Sequence, residues 1–517
     1  MKHVHWFLCF FGALLSVFLT STCTQNAPNH SEQASGEALA KRYCGNCHLY
    51  PTPDLLPKSI WTQYVLPQMG HQLGIYAKAG EREALLATQS GGDSIAARRV
   101  FPEKPLLSAA EWQKIQAFYT QLAPEALSAP EMPPVQMGLQ HFNTQKPSLR
   151  LSPPSTTMVK IRPQGGLWLG DANSKRLYWA DAALQVEKAA NLAEGIVHIV
   201  PDEKGMYVTI MGQFSPTDAA NGMVIYMPNG SPQAQIMLEG LQRPVHSAWG
   251  DFNHDGRVDA AVCEFAKWTG GLTYWQQQLD GTFQRTQLRM RPGATRSYIR
   301  DWNQDGHPDI ITLFAQGDEG IFVYINDGKG HFEEQTLLRF PPTYGSSAFR
   351  MVDWNGDGRE DIVHVCGDNA DYRPVLKPYH GIRIFVQDEK GAFKEDFFYP
   401  MYGAYDAIPA DYDEDGDLDL AAISFFPDFP SKPQQAFLLL DSEGNGQFRA
   451  STFPEVEAGR WIVLDAGDLD LDGDLDLVLG SLTFEVVPDG GQVAKWVQGG
   501  LPFLVLENTL KSPKSSR

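Results

Sequence analysis

Positive charge is scarce in this sequence: 42 Lys and Arg stand against 62 Asp and Glu, a formal net charge of -20 over 517 residues. No basic run offsets that balance, which argues against a nucleic-acid partner, because phosphate backbones are held by clustered Lys and Arg. Cysteine is scarce too. Six cysteines cannot staple a chain of this length, so the fold must rest on hydrophobic cores, and the length allows two or more. Cys263 and Cys366 fall in separate apolar, strand-like runs and read as buried free thiols. No glycine-rich dinucleotide fingerprint follows a strand, and no quinoprotein pattern is recognisable. The apolar run from Trp6 to Leu19 follows Lys2 and precedes Thr20, Ser21, Thr22 and Cys23. It is short for a bilayer span and has the form of a signal peptide over 1–22.

Cys23, directly after small residues, resembles a bacterial lipoprotein cleavage site, although Thr20 and Thr22 depart from the usual Leu-like and small residues there. Acylation of Cys23 would give a membrane anchor; plain secretion with an incidental cysteine is the alternative. Both readings place the protein outside the cytoplasm, in the periplasm or as an outer-membrane or cell-surface lipoprotein. The polar stretch 23–34 reads as a flexible tether.

Cys44-Gly45-Asn46-Cys47-His48 follows. A Cys-x-x-Cys-His run is the attachment signature of a c-type haem: two thiols add to the vinyl groups and the histidine becomes an axial iron ligand. A thioredoxin-like pair would need a βαβ pattern, and a four-cysteine zinc site would need a second close cysteine pair; neither is present. Ser35 to Tyr43 reads as a helix delivering Cys44. Ser108 and Glu111 form a capping box before Trp112, Ile115, Tyr119 and Leu122 at helical spacing. Residues 35–123 thus resemble the small c-type cytochromes, whose first and last helices cross beside the haem. That resemblance implies one haem c and a sixth ligand. Met69, two after Pro67, is one candidate and His71 the other.

A Pro-rich linker spans 124–136, and beyond it short β-branched and aromatic runs alternate with Gly/Asp/Asn turns. Five loops then repeat in register. They carry Asp251, Asn253, Asp255, Arg257 and Asp259; Asp301, Asn303, Asp305, His307 and Asp309; Asp353, Asn355, Asp357, Arg359 and Asp361; Asp411, Asp413, Asp415, Asp417 and Asp419; and Asp468, Asp470, Asp472, Asp474 and Asp476. Oxygen side chains at positions 1, 3, 5 and 9, glycine at 6 and an inward carbonyl at 7 make the cage a hard cation such as Ca²⁺ wants, without the EF-hand glutamate at 12. Up to five calcium ions are expected. The register resembles the FG-GAP or VCBS repeat of integrin-α-like propellers.

Five loop-bearing blades and two earlier units without the loop predict a seven-bladed all-β propeller over 137–510, with a polar tail at 511–517. The fold class is therefore a small all-α cytochrome c-like domain followed by this propeller. Phe142 to Leu151 is expected to close the ring by pairing with the last blade. Three long loops, Cys366–His380, Phe425–Gln434 and Thr483–Gln498, should cluster on the face opposite the calcium loops. Asp368, Asp371, Tyr372, Arg373, Lys377 and His380 are their richest polar set. The functional expectation is electron transfer by one haem, with a redox partner protein and with the propeller as docking scaffold. The alternatives are an oxidoreductase whose propeller oxidises a sugar or alcohol, and an integrin-like adhesion or glycan-binding protein with an auxiliary haem.

Overall fold

The computed structural model describes residues 34–88, 91–231, 233–444, 446–483 and 490–511. The signal peptide, Cys23 and nearly all of the tether lie outside the described residues, as do 484–489 of the third long loop and all of the tail beyond Lys511.

Seven antiparallel sheets of four consecutive positions form a propeller. The fourth blade illustrates the pattern: Ala294–Arg300 innermost, then Asp309–Phe314, Gly320–Asn326 and Phe332–Arg339. The middle two strands are buried almost throughout, as strands covered on both faces by neighbouring blades must be. Every innermost strand has a register irregularity between its first and third residues, from Thr156/Met158 in the first blade to Trp461/Val463 in the last. Such bulges bend a strand and re-aim its side chains at the rim of a barrel or channel.

Closure follows the expected route with a shorter strand. Phe142–Gln145 pairs antiparallel with Phe503–Asn508 as the outermost strand of the seventh blade, with Phe142 opposite Asn508. A second closing element was not foreseen. Val135–Met137 pairs in parallel with the outer strand Phe448–Thr452 of the sixth blade, so the linker expected over 124–136 ends inside a sheet. Pro124–Pro134 has no regular secondary structure. Of the third long loop, the described part contains a helix, Gln492–Gly499.

Upstream, short helices pack around Leu39, Leu56, Trp61, Leu66, Trp112, Ile115 and Tyr119. Gly36–Cys44 starts at an N-cap in which the Ser35 side chain accepts from the Ala38 amide. Ala109–Leu122 starts at the complete capping box of Ser108 and Glu111. The two helices cross at Gly36, where a Cβ would run into the Lys114 carbonyl and Phe118. Leu122, the last residue of the anticipated apolar stripe, is 62% exposed. Tyr372 and Val375 of the propeller complete this core, so the helices dock directly on the face that carries the long loops.

Candidate functional site

The helix Gly36–Cys44 ends in a turn in which the Cys47 amide donates to the Cys44 carbonyl at 3.3 Å. Cys44 is half-buried, Cys47 exposed, and both are free thiols, as are the buried Cys263 and Cys366. His48 is buried, with Nδ1 2.9 Å from the Leu49 carbonyl oxygen. A carbonyl can only accept, so this contact places the proton on Nδ1 and leaves the Nε2 lone pair free. Burial also lowers the His48 pKa.

Residues 58–72 form one continuous rod whose middle, Trp61–Val65, is a π-helical turn. Its buried side holds Trp61, whose Nε1 donates to the Pro53 carbonyl at 2.8 Å and whose ring lies 4.3 Å from that of Tyr119. Further along, Met69 reaches the same cavity as Cys44, Cys47 and His48. His71 does not line it. Its Nε2 lies 3.4 Å from a Glu81 carboxylate oxygen and its ring stacks on Tyr76.

The cavity measures about 1320 Å³, and its other wall is the propeller. Four contacts hold the helices over it. Arg98 donates to the carbonyls of Thr269 and Gly270, Phe101 packs edge-on against Trp268 at 5.4 Å, and the Tyr379 hydroxyl donates to the Leu55 carbonyl at 2.9 Å. From the first long loop, Asp368, Asp371 and Tyr372 line the cavity; Phe425, Phe426 and Leu482 come from the next two blades. Lys377 and His380 are instead buried behind the loop, where Lys377 Nζ donates to the Thr343 carbonyl at 3.0 Å. Arg373 is exposed and is not among the lining residues. Burial and the neighbouring Asp371 carboxylate push Asp368 up to about 6.

Sequence reading missed the floor of this cavity. Lys160, His198, His246, Arg296, Arg350, Asp406 and Asp465 all sit at the third or fifth position of an innermost strand and line the channel. Asp406 receives Arg350 at 2.7 Å and lies 3.8 Å from Arg296; Asp465 accepts from the Ile161 amide at 2.7 Å. The His198 and His246 rings stack with centroids 4.0 Å apart. Burial takes His198 down to about 3 and His246 well below its ordinary value, so both imidazoles are neutral. In all, Arg98, Arg99, Lys160, Arg243, Lys267, Arg291, Arg296 and Arg350 line the cavity against Asp318, Asp368, Asp371, Asp406 and Asp465. The usable signal was a charged or imidazole residue recurring two or four places into an inner strand.

On the opposite face, the repeated loops are organised by their own backbone. In the first four, the carboxylate at position 1 accepts from the amides at positions 5 and 6, for example Asp251 from Asp255 at 3.1 Å and Gly256 at 2.8 Å. Position 9 does structural work in every copy. Asp259, Asp309, Asp361, Asp419 and Asp476 each accept, at 2.7–2.8 Å, an amide from the third strand of their own blade. The carboxylates of Asp411, Asp413 and Asp419 lie within 4.8 Å of one another, as do those of Asp468, Asp470 and Asp476. Buried oxygens of Asp417, Asp468 and Asp474 have no hydrogen-bond partner, which suits a cation. In the first and third loops the position-5 carboxylate pairs with the arginine at position 7, Asp255 with Arg257 and Asp357 with Arg359.

Residues 301–364 match the FG-GAP-like repeat. No curated protein matches the chain. Among solved structures, a protein from Lactobacillus plantarum is similar at 14% identity and a TM-score of 0.39, covering 63% of this chain and 87% of that one. Virginiamycin B lyase from Staphylococcus aureus is similar at 10% identity and a TM-score of 0.45, covering 71% and 98%. A streptogramin B lyase is similar at 11% identity, with the same TM-score of 0.45 and the same coverages of 71% and 98%.

Proposed function

We propose that the protein is an exported, lipid-anchored monohaem c-type cytochrome that transfers electrons to or from a redox partner protein, with the calcium-binding propeller as docking scaffold. The observation that carries this reading is the convergence of Cys44, Cys47, His48 and Met69 on one cavity. The residues fit the group. His48 offers an unengaged Nε2, and Trp61, Leu66, Leu106 and Trp112 give the cavity an apolar wall. Cys44 and Cys47 would hold the haem covalently, and His48 and Met69 would be its axial ligands. When bound, the haem supplies one-electron exchange, and a methionine ligand opposite histidine raises its potential.

The test is the full chain purified from a host with c-type maturation. One covalently attached haem per chain and a sharp reduced α-band are expected, both lost in Cys44→Ala/Cys47→Ala. A wild-type protein without the band would overturn the proposal.

The oxidoreductase reading gains from one specific feature: the motif lines the same cavity as the propeller channel. Reduction of the haem on adding a sugar or alcohol, without a partner protein, would favour that reading over a carrier.

A further inference from the structure

We infer that the floor of the cavity is a binding site for a small hydroxylated organic acid, held through its carboxylate. The inference goes beyond electron transfer and uses propeller side chains alone. The first support is the sign of the charge. The chain carries -20 overall, yet the propeller side of the cavity is lined by six cationic side chains and five carboxylates, an excess of one positive charge (6 − 5). A surface with the opposite sign to its molecule attracts what the rest of the surface repels.

The second support is hydrogen-bond capacity. Arg296 and Arg350 come from adjacent blades and share the single Asp406 carboxylate. Two guanidiniums offer about ten N–H donors; Asp406 accepts about four and Tyr298 takes one from Arg296, so about half of the donors remain for a ligand. Asp406 draws the two guanidiniums together, and each is a planar fork of the kind that recognises a carboxylate through two bonds. Lys160, on the first blade, adds a point charge to the same channel.

Third, the stacked imidazoles of His198 and His246 are neutral, and His198 Nδ1 has no hydrogen-bond partner. Neutral imidazoles beside a cationic pair can accept from or donate to hydroxyl groups without repelling the anion. Space allows it: about 1320 Å³ exceeds the roughly 300–1,000 Å³ of an ordinary ligand pocket, so the cavity can hold an occupant at the helical wall and another on the floor.

The experiment is calorimetric titration of the full haem-loaded chain with glucuronate, with glucose and inorganic phosphate as comparisons. One glucuronate per chain is expected, with glucose at least tenfold weaker. Arg296→Gln and Lys160→Gln should each weaken glucuronate tenfold or more, and Arg296→Lys should weaken it less than Arg296→Gln. Thermal unfolding of each variant guards against loss of fold. Binding of phosphate alone would overturn the hydroxy-acid assignment. Equal affinity for glucose and glucuronate, unchanged affinity in folded variants, or no binding of either anion would overturn the site. The α-band, recorded on the same samples, reports separately on the haem.

Discussion

Glu319 sits between the cavity mouth and the fifth blade, where its carboxylate accepts from the Ser346 hydroxyl at 2.7 Å and from the amides of Ser346 and Gly345 at 2.9 and 3.2 Å. Burial outweighs those bonds and raises its pKa from 4.5 to about 7. A carboxyl with a raised folded pKa contributes its stabilisation in full below the unfolded value and loses it as pH rises through the folded one. Between pH 4.5 and 7 the protein should therefore lose of the order of 3 kcal/mol through this group, at about 1.4 kcal/mol per pKa unit. Glu319→Gln should flatten the urea midpoint across that window; an unchanged slope would refute the assignment. Met69 permits a second test. Met69→Ala should lower the reduction potential by at least about 60 mV, a tenfold change for one electron, while His71→Ala leaves it unmoved. Side chains such as Cys44, His48 and Ser108 were legible because their partners lie within a turn of chain. Arg296 and Asp406 were not. Each looks like one more polar residue on a strand until seven strands are brought to a common axis.

At the scale of the element, the nine-residue loops show two jobs merged in one pattern. Position 9 was assigned to calcium, yet both oxygens of Asp419 already accept amides, Ser442 at 2.8 Å and Tyr412 at 3.1 Å. Asp419→Ala should cost about 1–3 kcal/mol even in EDTA, because it strands two backbone donors. Asp413→Asn should leave the EDTA value alone and reduce only the extra stability gained on adding calcium, which reaches about 2.7 kcal/mol at a hundredfold excess over Kd. If both variants behave alike in EDTA, position 9 has no separate structural task. The blades themselves were readable from period-two runs and the five loops in register. The parallel strand Val135–Met137 was hidden by the prolines before it, which mark a linker without saying where it stops.

For the whole molecule, the decisive fact is that the helices are docked rather than tethered. The sequence made the propeller legible and left its relation to the upstream helices open, because contacts such as Arg98 with Thr269 join residues 171 apart and have no local signature. Arg98→Ala combined with Tyr379→Phe removes three of the bonds across the seam, so hydrogen exchange around residues 92–101 should quicken roughly tenfold or more while the α-band persists. Unchanged exchange there would mean that the seam is held by apolar contacts instead, Phe101 on Trp268 and Tyr372 and Val375 in the helical core.

The paired segments Val135–Met137 and Phe142–Gln145 carry one more consequence, which concerns the order of assembly. They leave the ribosome hundreds of residues before the strands they join, Phe448–Thr452 and Phe503–Asn508. During synthesis the early segment must therefore wait, and the ring stays open until Phe503–Asn508 has been made. A chain cut short before Phe503 would lose its latch as well as part of one blade, leaving a row of unpaired amides at each break. Phe503–Asn508 thus decides whether a segment made about 360 residues earlier is held in place.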